Sequence, residues 1–173
     1  MDNTRLDNKV RVIAVVDDLV ENRYAATIAV METVPNVSVL CFKSAGEAIQ
    51  ALKSNASLID LVLTDMKMED EKAGYRVVHE AWAWNIPATI ISGGHKGHGK
   101  EYVWLSYPSE NFPGDKNDPE VWKLVLEKVF SGDYTNNALL TALHLGKRAE
   151  PDYEFAVTCA QIIAVGLPGS WLS

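Results

Sequence analysis

Acids or a hydroxyl close three apolar stretches that lie far apart in the chain. Val12-Ile13-Ala14-Val15-Val16 runs into Asp17 and Asp18, Leu61-Val62-Leu63-Thr64 into Asp65, and Ala88-Thr89-Ile90-Ile91 into Ser92. Each stretch is almost continuously apolar and rich in β-branched residues, the pattern of a strand covered on both faces. If the strands are parallel neighbours, their carboxyl ends bring these polar groups to one edge of one sheet, where such folds bind ligands. Three carboxylates gathered in one place repel one another unless a cation or a phosphoryl group sits among them. Hard oxygen donors with open positions suit Mg2+, which takes one or two carboxylates together with phosphate oxygens and waters. A carboxylate so placed can also act as a nucleophile and carry a phosphoryl group, and the Ser92 hydroxyl could donate to a phosphoryl oxygen. Taken singly, each Asp is more often a loop residue or a helix cap. The joint placement is what favours a site.

The elements that must position these groups follow from periodicity and punctuation. Strands are expected over residues 10–16, 37–42, 59–64, 88–91 and 102–107. Helices are expected over 22–33, 44–54, 74–84 and 119–130. In the first helix Tyr24, Ala25, Ile28, Ala29 and either Met31 or Glu32 fall at helical spacing, and Pro35-Asn36 ends it. Ser44 followed three residues later by Glu47 reads as a capping box. Val77, Val78, Ala81 and Trp82 form the inward stripe of the third helix. Trp82 and Trp84 cannot share one face, which leaves Trp84 exposed or in an interface. Asp118 before Pro119 marks an N-cap with proline at the first helical position. Alternating strands and helices imply an α/β, doubly wound, five-stranded parallel sheet.

Composition narrows the function classes. The chain has 173 residues, 47% of them hydrophobic, with a formal net charge of −7. An acidic chain with no basic cluster is a poor direct binder of nucleic acid, whose phosphates call for Lys and Arg. No apolar run approaches the ~20 residues of a membrane span, and the first residues carry no apolar signal core, so a cytoplasmic protein is expected. Cys41 and Cys159 lack CxxC spacing and read as buried free thiols. After Ser131-Gly132-Asp133 the alternation stops. Two apolar helices are expected in residues 134–173, as a cover for the body or as a surface for a homodimer or partner protein. The expected domains are thus 1–132 and a helical tail, 133–173.

Residues 10–130 resemble the receiver domain of two-component response regulators. The resemblance rests on Val15-Val16-Asp17-Asp18, on Leu61-Val62-Leu63-Thr64-Asp65-Met66-Lys67-Met68 with Gly74 following, and on Ile90-Ile91-Ser92-Gly93-Gly94. It implies a flavodoxin-like receiver fold in which Asp65 is the phosphoacceptor. By the same resemblance Asp17, Asp18, Asp65 and the Met66 backbone carbonyl hold Mg2+, Ser92 is the switch hydroxyl, and Trp104 is the switch aromatic. The implied partner is a sensor histidine kinase or a phosphotransfer protein. The implied role is signalling through protein contacts, with at most self-phosphorylation and autodephosphorylation as chemistry.

The departures are specific. The family has Lys-Pro after the fifth strand; here the pair is Tyr107-Pro108, which supplies no ammonium. Lys96 and Lys100 are the nearby cations in sequence. Glu69 replaces the usual proline after Met68, and the loop to Gly74 is one residue longer. Residues 93–101 include four glycines among nine, too many for the helix the family places there. His95 and His98 in that segment read as a solvated loop rather than a metal site. The polar link from Tyr107 to Asp118 reads as a lid over the acids. Two alternatives stand beside the phosphorylated switch: a pseudo-receiver scaffold that phosphorylation does not switch, and a Mg2+-dependent phosphohydrolase.

Overall fold

A computed structural model describes residues 10–84, 86–91, 106–107 and 115–131. The strands are β1 (Arg11–Val16), β2 (Val37–Phe42), β3 (Leu61–Thr64), β4 (Ala88–Ile91) and β5 (Ser106–Tyr107). The helices are α1 (Val20–Thr33), α2 (Ala45–Asn55), α3 (Ala73–Ala83) and α4 (Pro119–Ser131). All strand pairings are parallel, and the sheet order is β2-β1-β3-β4-β5. That order changes direction beside β1, so the carboxyl ends of β1 and β3 face a topological switch point. Helix α1 packs with α4 and α2 with α3, one pair on each face of the sheet. The expected α/β doubly wound parallel fold is thus the observed one. The helical tail, the glycine-rich segment 93–101 and Cys159 lie outside the described residues.

The core explains why these strands form. Ile13 to Val16 of β1, Leu61 to Leu63 of β3 and Ile90 and Ile91 of β4 are all buried, because helices cover both faces. β2 is one edge of the sheet, and its side chains are only partly covered. This corrects the expectation for Cys41, which is exposed, its Sγ 3.3 Å from Thr27 Oγ1. Among the described residues no helix is long and apolar enough to cross a membrane.

Helix α1 begins at Val20, two residues before its expected start. Its buried stripe is Asn22, Ala25, Ala26, Ala29 and Val30. Tyr24 and Met31, although at helical spacing with Ala25 and Ala29, face outward, at 70% and 63% exposure. A helix lying close to a sheet takes its small residues inward, and the alanines decide between two stripes of similar periodicity. Asn36, at φ 52, makes the turn into β2, a conformation asparagine tolerates better than most residues. In α3, Val77, Val78 and Ala81 are buried as expected. Trp84 is exposed and donates its indole N–H to Glu80 at 3.1 Å.

The Ser44 cap forms in part as the sequence implies. Ser44 Oγ accepts from Glu47 N at 3.2 Å, while the Glu47 carboxylate takes the Lys43 N–H rather than that of Ser44. The start of α2 gains a second acceptor from far along the chain. Glu69 receives Ala45 N at 2.9 Å and Gly46 N at 3.0 Å, one on each carboxylate oxygen. The departure from proline at position 69 therefore has a structural use: it staples the β3–α3 loop to the positive end of α2.

Candidate functional site: an acidic pocket with an inserted lysine

Asp17 and Asp65 leave adjacent strands at the same level, since Val16 pairs with Thr64 in the β1–β3 ladder. Asp65 N donates to Val16 O at 2.7 Å, carrying the ladder one residue further. Asp18 follows Asp17 and is exposed. Each of Asp17, Asp18 and Asp65 offers a carboxylate oxygen within 4.8 Å of the others. The structure thus brings together the three acids that the sequence singles out.

Asp17 is 1% exposed and strongly held. Its Oδ1 accepts from Leu19 N at 3.0 Å, and both oxygens lie 3.2 Å from Asn22 Nδ2. Arg23 Nη1 donates to its backbone carbonyl at 2.7 Å. These contacts tie the start of α1 to the end of β1. Asp65 Oδ1 accepts from Met66 N at 2.9 Å, while its Oδ2 has no hydrogen-bond donor among the described residues. Burial pushes the Asp65 carboxyl above its ordinary value; a neighbouring ammonium pulls against that push and Asp17 adds to it.

That ammonium belongs to Lys116. Its Nζ lies 2.5 Å from Asp17 Oδ2 and 3.2 Å from Asp65 Oδ1, and its side chain is only 9% exposed. It arrives from the link between β5 and α4, nine positions beyond Tyr107, not from the end of a strand. Sequence reasoning missed it because it sought a cation next to Pro108 or in residues 93–101. The available signal was the polar link itself, read as a lid over the acids. Lys96 and Lys100 lie outside the described residues.

Gly74 packs directly against the backbone that carries Asp65. A Cβ there would stand 2.0 Å from Asp65 O and 2.6 Å from Met66 Cα. Only glycine lets the first turn of α3 lie against the backbone that presents Asp65. Gly74 N donates to Met66 O at 2.8 Å, which uses one lone pair of that carbonyl and leaves the other. Ser92 and Trp104 lie outside the described residues.

The donor set fits a hard divalent cation. Among the described residues the three carboxylates exceed the Lys116 ammonium by two negative charges, and all the oxygens are of the kind that Mg2+ and Mn2+ prefer.

No protein-family model and no curated protein sequence matches the chain. Solved structures do match. The Mn2+-bound form of the response regulator Rcp1 aligns with a TM-score of 0.51 at 15% identity, over 68% of this chain and 92% of that one. A response regulator receiver domain from Clostridium thermocellum gives 0.47 at 21% identity, over 68% and 95%. The receiver domain of the response regulator NarL from Mycobacterium tuberculosis gives 0.48 at 18% identity, over 69% and 95%. The fold is that of a response-regulator receiver domain. At these identities the likeness is one of fold.

Proposed function

We propose that this chain is a receiver-like signalling domain that accepts a phosphoryl group on Asp65. The observation that carries this reading is the cluster of Asp17, Asp18 and Asp65 around a buried Lys116 ammonium. Asp17, Asp18 and Asp65 would hold Mg2+, joined by the Met66 carbonyl through its free lone pair. When bound, the ion neutralises phosphoryl oxygens. The response regulator Rcp1, which shares the fold, has a Mn2+-bound form, in keeping with a divalent ion as the ligand of these acids.

The remaining steps belong to the chain's own atoms. Asp65 Oδ2 carries no donor among the described residues and is the oxygen left to attack phosphorus. With a phosphohistidine donor, the new O–P bond forms as the P–N bond breaks, and the released imidazole takes up a proton. Met66 N–H fixes the carboxylate rotamer through Oδ1. Lys116 stands beside that oxygen, within reach of the phosphoryl group. Ser92 and Trp104 keep the roles the resemblance gives them, as hydroxyl donor and switch aromatic. The donor partner is a sensor histidine kinase or phosphotransfer protein, and the output is a changed protein contact. The pseudo-receiver alternative rests on the missing Lys of the Lys-Pro pair; Lys116 offers a cation beside Asp65 from another position, which favours the switch over the scaffold.

The test is intact mass after incubation with Mg2+ and acetyl phosphate. A single phosphoryl adduct that is lost in Asp65→Asn supports the reading. An unmodified protein, with no metal-dependent change in tryptophan fluorescence, would sink it. Turnover of phosphate esters that depends on Asp65 would favour the phosphohydrolase instead.

A further inference from the structure

Lys116 is a long, flexible side chain, yet its Nζ contacts two carboxylates at once. Such an ammonium is held in place only if its backbone is held. The backbone here is a turn in which Asp118 N donates to Asp115 O at 3.2 Å, followed at once by α4. The Lys116 carbonyl is gripped from inside that helix: Trp122 Nε1 donates to it at 2.6 Å. Trp122 is 1% exposed. A buried indole N–H needs an acceptor, and it has this one. The indole ring also lies 5.9 Å from the ammonium, at the outer range of a cation–π contact. The same helix is tied to α1 by Lys123, whose Nζ lies 2.5 Å from Glu32 Oε2.

We propose that Trp122 is a positioning residue for the Lys116 ammonium, so that α4 registers whether the pocket holds its own lysine or an external cation. The inference rests on the reading of Asp17, Asp18 and Asp65 as a cation and phosphoryl site, and adds how that site is regulated. Lys116 sits on two of the three carboxylates that would take a divalent ion. An entering ion competes with it for Asp17 Oδ2 and Asp65 Oδ1, and the ammonium shifts. Its carbonyl is bonded to Trp122, so the shift loads the first turns of α4. The cation of this pocket thus comes from the turn that leads into α4, the helix that packs on α1, which places the moving part on the α1–α4 side of the sheet.

The experiment uses the full chain and Mn2+ as the probe, with free Mn2+ read by electron paramagnetic resonance. Lys116→Met should bind Mn2+ about tenfold more tightly than wild type, since a competing charge within a few ångströms is gone. Trp122→Phe keeps a ring but loses the N–H. It should also bind more tightly, and should add nothing in the Lys116→Met background. A merely structural Trp122 would lower the melting temperature and leave Mn2+ affinity unchanged; that result overturns the proposal. So does an equal effect of Trp122→Phe with and without Lys116. Should Trp122→Phe fail to fold, amide exchange of the wild-type chain decides. Exchange over residues 115–122 should rise when Mn2+ is added, and unchanged exchange overturns the proposal. Failure of the underlying reading looks different: Mn2+ affinity would then be indifferent to Asp65→Asn, whatever the lysine does.

Discussion

Lys116 Nζ lies 2.5 Å from Asp17 Oδ2, although 99 residues separate the two in sequence. This buried pair closes the switch point between β1 and β3 and ties the end of the first strand to the turn before the last helix. It is also where the structural and chemical demands on the pocket diverge. Asp17 is enclosed and fully engaged, whereas Asp65 keeps an oxygen without a donor among the described residues.

That difference predicts opposite effects on stability. Asp17→Asn leaves Lys116 with only the longer contact to Asp65 and sets an amide against Asn22 Nδ2. Breaking a buried pair from one side should cost about 3 kcal/mol. Asp65→Asn leaves the Lys116–Asp17 pair intact and removes a carboxylate that burial and Asp17 both push up. It should leave stability unchanged or raise it by up to about 1 kcal/mol, as functional residues often do when replaced. Urea unfolding in the presence of a chelator compares the two. Equal losses would show that Asp65 is as structural as Asp17.

The two described glycines with side-chain space to compare should behave in opposite ways. A Cβ on Gly46 meets nothing closer than 3.8 Å, so Gly46→Ala within α2 should gain about 0.5–1 kcal/mol from reduced chain entropy. A Cβ on Gly74 would fall 2.0 Å from the Asp65 carbonyl oxygen, which is backbone and cannot swing aside. Gly74→Ala should cost about 3 kcal/mol or more and disturb Asp65 itself. Thermal unfolding of both variants checks the contrast.

How far the sequence reveals this molecule depends on how local each cause is. β2 and β4 have the bounds their β-branched runs suggest, and α4 begins where Asp118 and Pro119 say it should, because caps and strand composition act over a few residues. The three acids were legible for the same reason: strand ends in a parallel sheet converge by topology alone. The inward face of α1 was less legible, because Tyr24 and Ala26 belong to competing stripes and only the closeness of the sheet selects the alanines. Lys116 was illegible as a partner of Asp17, because nothing local marks a lysine in a polar link as one that reaches back 99 positions. Glu69 is similar: its use depends on α2, 23 residues earlier.

The Glu69 staple predicts a pH dependence. Burial works to raise the Glu69 carboxyl, but the Ala45 and Gly46 N–H groups and the nearby Arg76 outweigh it and hold the group below its ordinary value of 4.5. A carboxyl depressed in the folded state binds protons less readily there than in the unfolded chain. Its stabilising share is therefore present above about pH 4.5 and is lost as pH falls through the folded value. Glu69→Gln keeps one acceptor and loses the charge at the helix N-terminus, which should cost about 0.5–1 kcal/mol near neutrality. The difference from wild type should shrink below pH 4.5 and vanish once Glu69 is protonated in both states. Chemical denaturation across this range, with a loss that stays constant with pH, would show that the staple owes nothing to its charge.

Asp18 gives the cleanest probe of cation binding, because it is exposed and, unlike Asp17, is not enclosed by the fold. A ligand that binds only the folded state stabilises it by RT ln(1 + [L]/Kd), about 2.7 kcal/mol at a hundredfold excess over Kd. Saturating Mg2+ should therefore raise the melting temperature of the wild-type chain, and a chelator should reverse the gain. Asp18→Asn should leave the melting temperature in chelator unchanged, since a surface substitution away from any buried contact is worth little. It should nevertheless lose most of the Mg2+-dependent rise, because one of the three carboxylates within 4.8 Å of one another is gone. Ca2+ should give a smaller rise than Mg2+ at the same concentration, as three carboxylates and a carbonyl fall short of the six to eight oxygens that Ca2+ takes. A Mg2+-dependent rise that survives Asp18→Asn in full would place the ion elsewhere and leave Lys116 as the ammonium that these acids face among the described residues.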